Sequence, residues 1–131
     1  MSPVTPKRFE YAVSTDRAGR VSAEGGAPTA LGDEWAPDHL LLAALLRCSI
    51  ESLRYHAERD GIDLVASGSA SGVVTRREDD GRYAFVEIEC RIDVELDPAP
   101  ESVEALLAKA ERDCFVGASL TVEPAYVWSV A

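Results

Sequence analysis

With 131 residues, 47% of them hydrophobic and 27% charged, the chain is sized and composed for a single domain over 1–131 that buries a core without metals or disulfides. A net charge of −10 argues against nucleic acid, which needs a dense basic patch; the tightest basic pair, Arg76-Arg77, runs straight into Glu78, Asp79 and Asp80. No apolar run reaches the ~18 residues of a membrane span, and MSPVTPKRFEYAV lacks the apolar stretch of a signal peptide, so the expected location is the cytoplasm, with no membrane partner.

In chain order, Arg8 to Val13 alternates weakly and predicts a first strand. A turn at Asp16 to Gly19 leads into a second strand over Gly19 to Gly26, and residues 25 to 36 predict a loop. Pro37 suits a first helical position and Asp38 the positive end of a helix dipole. The helix they begin is expected to end at Asp60, with Gly61 as its stop. Its first half, Leu40 to Leu46, is apolar on all sides and predicts burial most of the way round. Leu64 to Arg77 and the alternating strand through Val86, Ile88, Cys90, Ile92, Val94 and Leu96 form a hairpin about an Asp79-Asp80-Gly81 turn. A second helix carries Val103, Leu106, Leu107, Ala110 and Cys114 on one stripe, and LTVEPAYVWSV closes the chain as a strand interrupted by Pro124. The order β-β-α-β-β-α-β is an α+β pattern.

Three cysteines in a chain expected to be cytosolic are no static disulfide framework. Cys90, on the apolar face of its strand, reads as a small core hydrophobe. Cys48 reads either as core or as a nucleophile; the second role requires a cation, because burial alone raises a thiol pKa. Arg47 points elsewhere around the helix, which leaves Arg17 and Arg20 as the freer candidates. Cys114 reads either as the last core contact of its helix or as a partner thiol. His39 and His56 lack compact metal-ligand spacing and read as surface residues, so no metal is expected.

WAPDHLLLAALLRC, Trp35 to Cys48, resembles the signature of the OsmC/Ohr family, in which a Pro-acid pair opens a Leu/Ala-rich central helix and a cysteine follows ten residues after the acid. ERDCFVGASL, Glu111 to Leu120, resembles that family's second cysteine segment, and the resemblance extends over nearly the whole chain. It implies an OsmC-like α+β fold, with antiparallel sheets packed around a long buried central helix, in an intertwined homodimer. It also implies a cytoplasmic thiol peroxidase for organic hydroperoxides, and for hydrogen peroxide in some members. In that scheme Cys48 is the peroxidatic thiol, Cys114 the resolving thiol, and Arg17, with Arg20 as second choice, the activating cation. Asp38 is the acid that orients the arginine, and Leu41 and Leu45 line an apolar substrate pocket. No bound cofactor is implied; the partners are the hydroperoxide and a dithiol reductant such as a lipoylated protein. Asp38 stands where the family usually has Glu, and Ser49 where an aromatic residue often follows the cysteine. The alternative is a non-catalytic binding or redox-sensing module of the same fold, with inert buried cysteines.

Overall fold

The computed structural model describes residues 5–131, which divide with the rest of the chain into two compact units, Met1–Ala36 and Pro37–Ala131. In the first unit β1 (Val13–Thr15) pairs antiparallel with β2 (Val21–Ala23). The Asp16 carboxylate organises the turn between them by accepting the Ala18 and Arg20 backbone N–H groups at 3.0 and 2.9 Å. Gly19 supplies the left-handed conformation at φ +80° that the turn requires. The first strand thus begins where Arg8 to Val13 was expected to end: residues 8 to 12 are exposed and lie outside β1, so their weak alternation has no buried face to serve.

The second unit opens with α1 (Pro37–Arg59), about 34 Å long at ~1.5 Å per residue. Beyond it the Gly61 N–H bonds to the Glu58 carbonyl, and Gly61 takes φ +70°, as its expected stop role demands. Leu45, Ser49, Leu53 and Ala57 recur every four residues and are fully buried. The N-terminal half departs from the expected all-round burial: Ala43 and Ala44 are exposed and Leu40 is 40% exposed, because one chain covers only the Leu45 side of the helix.

A long antiparallel hairpin, β3 (Asp63–Arg76) and β4 (Tyr83–Asp97), follows α1. Ile88, Cys90, Ile92, Val94 and Leu96 form its buried row, as the alternation predicts. Val86 leaves that row: pairing jumps from Val73 with Glu87 to Val74 with Phe85, so Val86 is the extra residue of a bulge and Phe85 packs on the core in its place. α2 (Val103–Arg112) is capped by Ser102, whose hydroxyl accepts the Ala105 N–H at 3.2 Å, a contact of about 1 kcal/mol.

Cys114 lies outside α2, contrary to the apolar spacing. The Asp113 N–H still bonds to the Lys109 carbonyl, then Cys114 turns to an extended backbone and starts a short helix, α3 (Phe115–Ala118). β5 (Ala125–Val130) joins the sheet beside β4 in parallel, Glu89 opposite Ala125 and Cys90 opposite Tyr126, so only the β3–β4 pair is antiparallel in this three-stranded sheet. A parallel neighbour requires a crossover, and α2 with α3 provides it. Among the described residues, no helix is long and apolar enough to cross a membrane.

Candidate active site

α1 presents Cys48 and Ser49 on adjacent faces, about 100° apart. Cys48 is half-buried; Ser49, on the stripe of Leu45 and Leu53, is fully buried. Opposite them the α2–α3 junction holds Cys114, also fully buried, with its thiol close enough to that of Cys48 to influence it. All three cysteines are free thiols.

Burial pushes the Cys48 thiol above its ordinary range, the Val116 backbone N–H bonded to it pulls the other way, and contact with the Cys114 thiol adds to the rise. No cation is among the largest influences on it, so α1 and its immediate neighbours do not by themselves make a thiolate. Burial pushes the Cys90 thiol up to about 11.

Around Cys114 the polar contacts are denser. The Gly117 N–H points at its sulfur at 3.5 Å, and the Ser49 hydroxyl lies 3.6 Å from it. Ser49 Oγ also reaches the Leu45 carbonyl at 2.8 Å and the Tyr126 hydroxyl at 2.9 Å. Tyr126 is carried in by β5, and burial is the main reason its phenol is pushed well above the usual range. Its ring stacks parallel to Trp128, 5.6 Å between centroids, and Trp128 Nε1 donates to Glu111 on α2 at 2.9 Å. Next to Cys114, Asp113 accepts from Arg112 and pairs with His56 of α1 at 2.8 Å; these two contacts, Arg112 first, hold its carboxyl down at about 2.

The remaining sequence candidates are distributed as follows. Asp38 is exposed in the first turn of α1, about 15 Å along the axis from Cys48, beyond reach of that thiol. Leu41 is partly buried against the core and Leu45 is wholly within it. In the first unit, Arg20 is paired with Asp16 at 2.8 Å, whereas Arg17, at the exposed tip of the same turn, has no ion-pair partner among the described residues. Sequence reasoning missed Ser49 and Tyr126. The available signal for Ser49 was a hydroxyl at the four-residue spacing of Leu45, Leu53 and Ala57; Tyr126 had no local signal, because only the sheet register brings it to Ser49.

A family model described as OsmC-like protein matches residues 30–128. No curated protein matches the chain in sequence. Among solved structures, an OsmC-like protein of unknown function from Vibrio cholerae is similar at TM-score 0.71 and 13% identity, covering 95% of this chain and 100% of its own. An organic hydroperoxide resistance protein from Elizabethkingia anophelis is similar at TM-score 0.71 and 17% identity, with 97% and 100% covered. An organic hydroperoxide resistance protein OsmC from Legionella pneumophila is similar at TM-score 0.63 and 18% identity, with 96% and 99% covered. These likenesses carry the fold: an α+β architecture of the OsmC-like kind.

Proposed function

The chain belongs to the OsmC-like protein family, and from that premise we propose that it is a cytoplasmic, cysteine-based peroxidase that reduces organic hydroperoxides. One observation carries the reading: two free thiols from separate elements, Cys48 on α1 and Cys114 at the α2–α3 junction, are close enough for Cys114 to push the Cys48 thiol up. The Cys48 thiolate attacks the distal peroxide oxygen, the O–O bond breaks, and the alkoxide leaves as an alcohol after taking a proton. Cys48 becomes a sulfenic acid; Cys114 attacks its sulfur, an S–S bond forms, and hydroxide departs as water with the proton that Cys114 gives up. A dithiol reductant, of which a lipoylated protein is one kind, restores both thiols by exchange.

Since burial raises the Cys48 thiol, a cation has to be supplied to it, and Arg17 is the better candidate because Arg20 is already held by Asp16. Asp38 orients that arginine in this reading, and Leu41 lines the alkyl pocket with Leu45 behind it. Leu40, Ala43 and Ala44 of α1, which one chain leaves exposed, support a homodimer, with a second copy covering them.

The raised Cys48 thiol also favours a second reading, a binding or redox-sensing module whose cysteines do not turn over. One equivalent of cumene hydroperoxide separates the two. The expected result is loss of two thiols per chain, a Cys48–Cys114 disulfide on peptide mapping, and no peroxide consumption by Cys48→Ser; the same sample sediments at twice the 14.1 kDa of one chain. Three surviving thiols, or full consumption by Cys48→Ser, overturns the peroxidase reading.

A further inference from the structure

Ser49 is the one fully buried polar side chain among the described residues, and its hydrogen count is informative. A serine hydroxyl has one proton to give and two lone pairs to receive with. Ser49 Oγ has three partners: the Leu45 carbonyl at 2.8 Å, the Tyr126 hydroxyl at 2.9 Å and the Cys114 sulfur at 3.6 Å. The carbonyl can only accept. While Cys114 is a thiol, therefore, the Ser49 proton goes to Leu45 and both Tyr126 O–H and Cys114 S–H can donate to Ser49. A Cys114 thiolate has no proton to donate. The Ser49 O–H then turns to the sulfur, with Tyr126 O–H still donating to Ser49 Oγ from behind, and the Leu45 carbonyl keeps the backbone N–H of its own helical turn. Only a hydroxyl proton rotates; no heavy atom moves.

We propose that Ser49 and Tyr126 form a hydroxyl pair that solvates the Cys114 thiolate whenever the Cys48–Cys114 bond forms or breaks, in place of the water that the fully buried sulfur lacks. The inference rests on the pairing of these two cysteines in the proposed function. Ser49 is the group that touches the reacting sulfur, and Tyr126 acts chiefly by holding Ser49. The demand is greatest in the reductive step. A dithiol thiolate attacks the more accessible Cys48 sulfur, the new S–S bond forms there, and the Cys48–Cys114 bond breaks with its electron pair on Cys114. The second thiol of the reductant then displaces Cys48 from the mixed disulfide. Cys114 is thus a leaving group expelled into a dry site, and its departure requires a donor already in place.

Ser52 provides a control. One turn further along α1, its hydroxyl makes a comparable 2.8 Å bond to the Ala110 carbonyl, with no hydrogen bond to a thiol among the described residues. Diamide, which takes up two hydrogens as it joins two thiols, makes the disulfide without any peroxide. The experiment follows reduction of that disulfide by dithiothreitol in full-length wild type, Ser49→Ala, Tyr126→Phe and Ser52→Ala. The expected slowing is roughly tenfold for Ser49→Ala and about threefold for Tyr126→Phe, with Ser52→Ala at the wild-type rate and sulfenic acid formation at Cys48 unaltered in all. Tyr126→Phe keeps the ring stacked on Trp128, so it decides the matter alone if Ser49→Ala does not fold. Wild-type rates in Ser49→Ala and Tyr126→Phe, equal slowing by Ser52→Ala, or failure of diamide to join Cys48 to Cys114 overturns the proposal. Slow reduction in the hydroxyl variants of a protein whose Cys48 ignores hydroperoxide leaves the hydroxyl pair standing and sinks the peroxidase reading alone.

Discussion

Cys90 on β4 and Cys114 between α2 and α3 are both fully excluded from solvent and close enough to feel each other's charge. Their surroundings differ in kind. Cys90 sits in a row of Ile88, Ile92 and Val94, and burial raises its thiol to about 11, helped by the charges of Cys114 and Glu89. Cys114 meets a backbone N–H from Gly117 and the hydroxyl of Ser49, with the Tyr126 hydroxyl behind Ser49 and the Cys48 thiol nearby. Burial among hydrocarbon makes a thiol inert; equal burial among donors leaves a thiolate accommodated. Solvent exposure alone does not distinguish these two cysteines, but the inventory of hydrogen-bond donors does.

The widest separation between the two regions is expected from paired serine variants. Cys114→Ser should lower turnover with a dithiol by more than about tenfold and let excess hydroperoxide drive Cys48 to the sulfinic state, read by mass spectrometry. Cys90→Ser should keep turnover within about twofold while costing about 1–3 kcal/mol of stability in denaturant melts, because a hydroxyl is stranded in an apolar row. Equal losses of turnover from both variants would erase the distinction.

How far this distinction could be read in advance depends on the residue. The alternation of Ile88 to Leu96 identified Cys90 as core, and strand pairing bears that out. α1 was legible from Pro37 to within a residue of its end, because cap, dipole and glycine signals are local. Cys114 was assigned to the wrong element: apolar spacing continues past Arg112, although the backbone turns at Asp113. Parallel attachment of β5 was not legible, since strand periodicity is the same in either direction. The Ser49–Tyr126 contact depended on that attachment and stayed hidden with it.

A smaller effect sharpens the comparison through pH. In a protein whose only cysteine is Cys90, burial, the largest cause of the rise, is still present, so the thiol stays protonated through the neutral range and ionises only at higher pH. Its alkylation rate in folded protein should climb about tenfold per pH unit from 8 to 10 without levelling. A plateau near pH 9 would show that strand burial does not govern it.

The smallest expected effect lies beside Cys114. Asp113, held by Arg112 and His56, titrates at about 2 against an ordinary 3.8, so its stabilising contribution is complete above the ordinary value and lost as pH falls through about 2. Asp113→Asn should therefore lower Tm by a few degrees at neutral pH, and the gap from wild type should close between about pH 4 and pH 2. A gap that persists at pH 2 would mean that the asparagine disturbs the junction by some route other than lost charge.

Tyr126 arrives on β5, and β5 docks in parallel on a part of β4 far away along the chain. Long-range contacts are the slow ones in folding, and the approach of Cys48 to Cys114 is longer still, whereas α1, the hairpin and α2 form from near neighbours. In a refolding chain the meeting of the two thiols and the arrival of the phenol that steadies Ser49 are therefore both long-range events, which follow the local elements. A half-built chain then holds neither the thiol pair nor its donors, and the sulfur gains its full set of neighbours only once the distant parts of the chain have closed on one another.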